Sequence, residues 1–203
     1  MINKGKLYVV SAPSGCGKGT ILSEVLKNND NLFYSVSATT RCPRDGEEDG
    51  VNYYFLSVED FKKEIENGGM LEYAQFCDNY YGTPKQKVLD KLNKGIDVIL
   101  EIETNGAMQI KKAMSEAILI FILPPSVSEL RRRLNKRGTE KQDIIDKRVN
   151  EAEAEIKKAC EYDYIMINDE LEKAIEDFEA ILKSSKLTNE NNKSKIEEVL
   201  KNA

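Results

Sequence analysis

The chain has 203 residues, 40% hydrophobic and 32% charged, with a formal net charge of −5; by size it is one ordinary globular domain. The acidic balance excludes a protein that grips nucleic acid through general positive charge, so an anionic ligand needs a local basic cluster. There is no histidine, which excludes histidine-built zinc sites and Ser-His or Cys-His nucleophile pairs.

In chain order, "KLYVVSA" (6–12) is an apolar, β-branched run and reads as a buried strand. A glycine-rich loop follows, then a helix over 18–27 with Ile21, Leu22, Val25 and Leu26 on one side. A second strand is expected over 33–40. Residues 41–55 are Pro/Gly-rich and polar before turning to an aromatic strand. Ser57 with Asp60 three residues on, closed by Gly68, predicts a capped helix. A strand over 70–76, a turn over 79–84 and a helix over about 84–93 come next. The strand 96–103 ends in acids. A helix over 105–114 and a strand over 117–123 precede Pro124-Pro125. Two charged helices (126–138 and 140–162), a strand (162–169) and a helix (171–185) complete the reading. The remaining tail is polar, Asn/Lys-rich and expected to be loosely docked or frayed.

The alternation predicts an α/β protein with a parallel sheet covered on both faces. The stretch 34–83 breaks the rhythm and reads as an insertion. Cys16, Cys42, Cys77 and Cys160 form no C-x-x-C pair, so a reducing compartment is expected. The N-terminus lacks a secretory pattern, and no apolar run approaches the ~20 residues that span a bilayer. Cytoplasm is the expected location.

"SAPSGCGKGT" (11–20) is nearly the phosphate-loop pattern G-x-x-x-x-G-K-[ST]. Ala12 replaces the first glycine, at little cost if its φ is negative. Gly19 replaces the hydroxyl residue that usually meets magnesium, and Thr20 carries a hydroxyl one step later. Between a strand and a helix, the loop Pro13-Ser14-Gly15-Cys16-Gly17 and the first helical turn would turn backbone N–H groups toward phosphates, Pro13 alone having none to offer, with Lys18 bridging the phosphates. The G-K-G-T form resembles adenylate kinases and other nucleoside monophosphate kinases more than switch GTPases. Only seven of the 30 basic residues are arginine, in two windows: Arg41 and Arg44, then Arg131, Arg132, Arg133, Arg137 and Arg148. Planar forks suit phosphate oxygens.

"SVSATTRCPRDGEEDGVNYYF", "LEYAQF" and "NYYGTP", with the second arginine window and "IMINDE", resemble guanylate kinases in order and spacing over about residues 5–185. The resemblance implies a P-loop NTPase-type parallel core covered by helices, an inserted small mixed α/β GMP-binding region and a helical lid. It divides the chain into a kinase domain 1–187 and a polar extension 188–203. Within the domain the core is 1–33, 84–125 and 160–187, the acceptor region 34–83 and the lid 126–159. It implies that Arg41, Arg44, Tyr53 and Tyr81 hold the GMP phosphate, and that Ser37 and Glu72 read guanine with Thr83 beside them. A carboxylate accepts the adjacent N1–H and amino group of guanine together, and adenine offers no such N1–H. The resemblance further implies that Arg137 and Arg148 close over the transferring group with Arg133 in support, and that Asn168 faces the adenine of ATP; Arg131 and Arg132 read as solvated charges. Glu101 and Glu103 share one strand face and go to the shell of a water-held Mg²⁺, with Thr20 near it, and to the acceptor side. "TNGA" departs from the family's more familiar glutamine at position 105.

The expected reaction is phosphoryl transfer from MgATP to GMP, with Lys18, Arg44, Arg137 and Arg148 catalytic and no nucleic-acid or membrane partner. A kinase for ribose 1,5-bisphosphate is the first alternative, opposed by Ser37 and Glu72. A non-catalytic, phosphopeptide-binding relative of the family is the second, opposed by Lys18 and the lid arginines.

Overall fold

A computed structural model describes residues 4–136 and 142–201. The apolar runs form a five-stranded parallel sheet of β1 (Leu7–Ser11), β2 (Leu32–Tyr34), β7 (Asp97–Glu101), β8 (Ile118–Leu123) and β9 (Tyr164–Ile167), in the order β2-β7-β1-β8-β9. Side chains alternate across the pleat. Leu7, Val9, Val98, Leu100, Leu119 and Phe121 therefore share one core with α3 (Lys85–Asn93) and α4 (Thr104–Ala113). Tyr8, Val10, Ile99, Ile120 and Ile122 share the other with α1 (Lys18–Lys27) and α7 (Leu171–Lys186). Burying each such side chain stabilises the fold by roughly 1.5–3 kcal/mol.

The chain leaves β1 through α1 toward the β2 edge, and later leaves β7 through α4 for β8 on the other side of β1. The order thus reverses around β1, and the crevice beyond its carboxyl end is where open α/β sheets bind ligands.

The expected strand 33–40 is two strands in two sheets. The buried Ser35 donates its N–H to the Ile99 carbonyl and ends the first ladder. The chain then enters a four-stranded sheet of β3 (Ala38–Thr39), β4 (Tyr54–Phe55), β5 (Met70–Phe76) and β6 (Asn79–Pro84), in the order β4-β3-β6-β5. Residues 79–84 form a strand where a turn was expected. The hairpin reverses two residues earlier, at Cys77 (φ 46°) and Asp78 (φ 64°). Between β4 and β5 lies α2 (Val58–Glu66); Ser57 caps it, accepting from the Asp60 N–H at 3.0 Å and donating to the Asp60 carboxylate at 2.7 Å.

Helices α5 (Val127–Lys136) and α6 (Gln142–Lys157) enclose a small core of their own, Leu130, Leu134, Ile145, Val149 and Ala152. Helix α6 gives way to a 3-10 turn over Lys158–Glu161 instead of running on to 162. The tail forms α8 (Asn189–Lys201) and is tied down where Asn191 donates to the Ser185 carbonyl at 2.7 Å.

Candidate active site

The phosphate loop leaves the carboxyl end of β1 and is bent by Gly15 (φ 91°) and Gly17 (φ 85°), conformations open to glycine without steric cost. Ala12 is not in the left-handed region: among the described residues only Cys77 and Asp78 are non-glycine with positive φ. A Cβ on Gly17 would lie 2.5 Å from the Asn168 amide nitrogen, whereas nothing lies within 4 Å of one on Gly19. Gly17 is thus a steric requirement and Gly19 is not. Cys16 is fully buried, its thiol pushed up to about 12 by burial, so it is a packing group and not a nucleophile.

Lys18 opens α1, and its Nζ stands 3.6 Å from Glu101 Oε1 at the end of β7. Tyr34, at the end of β2, donates to Glu101 Oε2 at 3.0 Å. Asn168 is 7% exposed and donates to the Cys16 carbonyl at 2.7 Å. The residue expected beside adenine thus also braces the loop from behind. Helix α5 reaches the same loop: a Cβ on Gly15 would meet Leu134 Cδ2 at 2.7 Å.

A cavity of about 220 Å³ opens between the second sheet and the start of α4. Ser37, Tyr53, Glu72, Tyr81, Glu101 and Glu103 line it, so six residues predicted from distant parts of the chain converge. Glu72, Ala74 and Phe76 alternate along β5 and present one face to it. Glu72 is 6% exposed, and the Thr83 hydroxyl donates to its Oε1 at 2.6 Å. Burial, more than the neighbouring Glu103 charge, pushes its carboxyl above the usual range. Its second oxygen faces Gly106, where a Cβ would lie 2.7 Å from Oε2.

Arg41 lies over the Tyr53 ring, 5.5 Å from its centroid, and ion-pairs with Glu47 at 2.9 Å. Arg44 is exposed, and its backbone N–H donates to the other Glu47 oxygen at 2.8 Å. On α5, Arg133 Nε donates to Glu129 at 2.8 Å, and the Arg132 and Arg133 guanidiniums hold the Glu129 carboxyl down at about 2. Arg131 is not a free surface charge: it pairs with Asp146 and ties α5 to α6. Arg148 is half-buried within α6. Arg137 lies outside the described residues. Asn105, the departure from the family pattern, accepts from Lys158 at 2.7 Å.

Sequence reasoning missed Tyr34, Glu47, Gly106, Glu129 and Glu155. Glu155 on α6 is half-buried, and its carboxyl is raised by burial and by Glu103 against the lowering effect of Lys18. An acid three residues past Arg44, and another two before Arg131, were signals for Glu47 and Glu129. Nothing local marks the other three.

Carboxylates are plentiful here, yet among the described residues no group of three acids could hold a metal ion directly. No helix among them is long and apolar enough to cross a membrane. The cavity with its buried carboxylate and the glycine-rich loop share one residue: Glu101 lines the first and pairs with Lys18 of the second.

The guanylate kinase family model matches residues 4–185. The chain is 54% identical over 186 residues to a guanylate kinase from Carboxydothermus hydrogenoformans, covering 92% of this chain and 91% of that protein. It is 52% identical over 185 residues to one from Clostridioides difficile, covering 91% and 90%. The crystal structure of guanylate kinase from Anaplasma phagocytophilum superposes with a TM-score of 0.74 at 32% identity, over 92% of this chain and 89% of that one. The chain belongs to the guanylate kinase family, the nucleoside monophosphate kinases that pass a phosphoryl group from ATP to GMP.

Proposed function

We propose that the cavity beside Glu72 is the GMP site and that the loop at 12–20 holds the ATP phosphates, with transfer occurring between Lys18 and Arg41. The observation that carries this is the buried Glu72 carboxylate, fixed by Thr83 on one oxygen and open beside Gly106 on the other. A buried acceptor pair suits the N1–H and amino group of guanine, and a base lacking that N–H leaves it unpaired, a discrimination of about 10⁴ or more. Ser37 supplements the reading at the cavity wall, and the hydroxyls of Tyr53 and Tyr81 join Arg41 and Arg44 on the GMP phosphate.

The nucleophile is a GMP phosphate oxygen, already ionised at neutral pH, so no side-chain base is needed. Catalysis is then placement and positive charge around the transferring oxygens. Lys18 exchanges its Glu101 partner for ATP phosphate oxygens. Arg133, Arg148 and Arg137 reach the same oxygens when α5 and α6 close, which also excludes water. Asn168 serves the ATP side by holding the loop carbonyl of Cys16.

Magnesium fits through water. Gly19 supplies no hydroxyl and, among the described residues, no three acids are grouped closely enough to hold a metal directly, so Glu101, Glu103 and Thr20 would hold the ion through water. When bound, it neutralises phosphate charge in the transition state. The four unpaired cysteines suit the cytoplasm.

The test is Lys18→Ala. Turnover should fall by about 10³ or more with the circular dichroism spectrum and GMP binding intact. Retained turnover removes the loop from the reaction.

A further inference from the structure

The loop between β3 and β4 has no ladder partner of its own over its arginine segment, and it must still present two arginines to one phosphate. Glu47 is the half-buried acid among exposed ones there: Asp45, Glu48 and Asp49 are all exposed. Its two oxygens go to two different places. Oε1 accepts from Arg41 Nη2 at 2.9 Å, and Oε2 accepts from the Arg44 backbone N–H at 2.8 Å. The carboxyl is lowered by both bonds, the one to Arg41 first. It therefore stays ionised and cross-links the loop.

The contact leaves Arg41 usable. A carboxylate competing for the phosphate position would take the guanidinium fork with both oxygens. Glu47 takes one arm, and Nη1 donates to the Cys42 carbonyl at 2.7 Å. A guanidinium has five N–H groups, so others remain for an incoming anion. The Tyr53 and Phe55 rings, 5.5 Å and 5.9 Å from Arg41 Cζ, support its flat face. We infer that Glu47 is a positioning residue for the acceptor: it fixes the Arg41 fork and the Arg44 backbone so that both arginines meet the GMP phosphate without being ordered by it. This rests on the reading of Arg41 and Arg44 as phosphate ligands given above. Without Glu47, the substrate itself must order the loop, and its apparent affinity falls.

The experiment compares Glu47→Ala, Glu47→Gln and Arg41→Ala by steady-state kinetics and thermal melting. Arg41→Ala should raise the KM for GMP. Glu47→Ala should raise it by about tenfold, with kcat, the KM for ATP and Tm little changed. Glu47→Gln, which keeps one accepting oxygen and the same shape, should recover part of the loss. If Arg41→Ala raises the KM while Glu47→Ala leaves it unchanged or lowers it, Glu47 does not position the arginines and the inference fails alone. If Arg41→Ala has no effect on GMP, the phosphate-ligand reading fails and takes the inference with it. If both Glu47 variants lower Tm and shift all constants together, the residue serves folding only and the inference is overturned.

Discussion

A side chain at position 106 has nowhere to go. Its Cβ would stand 2.7 Å from the Glu72 oxygen that faces the cavity, and the neighbour is a buried carboxylate held by Thr83. Gly106→Ala should therefore raise the KM for GMP at least tenfold, the scale of a disturbed charged hydrogen bond, and leave the KM for ATP unchanged. Equal loss toward both substrates would place the effect elsewhere. Glu72 gives a second test, through pH. Burial raises its folded pKa above the ordinary value of 4.5. Its contribution to stability is therefore full below that ordinary value and is lost as pH rises through the raised one. Guanine reading needs the ionised form and runs the opposite way: GMP affinity should fall as pH drops through the raised value. As pH is lowered from neutral toward the ordinary carboxyl value, the KM for GMP should climb in the parent protein. Glu72→Gln should show a high KM with that dependence reduced to the part set by the GMP phosphate, which takes its second proton at about pH 6; an undiminished dependence would exclude Glu72 as a source. In the loop, Gly17→Ala should cost about 1–3 kcal/mol in strain at φ 85° and abolish turnover. Gly19→Ser, in open space, should melt as the parent does.

At the scale of elements, α5 carries Arg133, proposed for the lid, and also packs against the phosphate loop. Leu134 is 3% exposed and packs on Gly15. Leu92, in α3, is 1% exposed and belongs to the core under α3 and α4, not to the cores that hold Cys16 of the loop or Leu134. Truncating either to alanine should cost about 2–5 kcal/mol in a denaturant titration. Only Leu134→Ala should also lower kcat, because only it supports the loop and the helix carrying Arg133. Matched losses of kcat in both variants would mean that stability alone sets the rate. Element boundaries were legible in the sequence where one force dominated. The apolar runs 6–12 and 117–123 had to be buried strands, and the Ser57–Asp60 pair had to cap a helix. The split of 33–40 was not legible. Its alternation continues unbroken through Ser35, and only the second sheet, built from strands forty residues later, decides where the first ladder ends. The same long-range pairing turned "NYYGTP" from an expected turn into a central strand.

Over the whole molecule, the two sheets divide the labour: the parallel one holds the phosphate loop at its carboxyl edge, and the mixed one supplies walls of the cavity proposed to take the purine. The phosphate loop could be read directly because its chemistry is contiguous in sequence. The acceptor site could not be assembled from spacing, since Ser37, Glu72 and Glu103 meet only through tertiary folding; resemblance to a family named them, and the cavity brings them together. Glu47, Gly106 and the brace at Asn168 stayed out of reach for a related reason. Each acts on another residue's position, which composition and periodicity do not encode. The measurement that bears most directly on the guanine-reading cavity is an ADP-release assay with ATP against GMP, AMP, UMP, CMP and ribose 1,5-bisphosphate. Turnover with GMP, exceeding that with AMP by about 10⁴, is the expected result. Comparable turnover with AMP or with the ribose bisphosphate, or none with GMP in a folded protein, would contradict it.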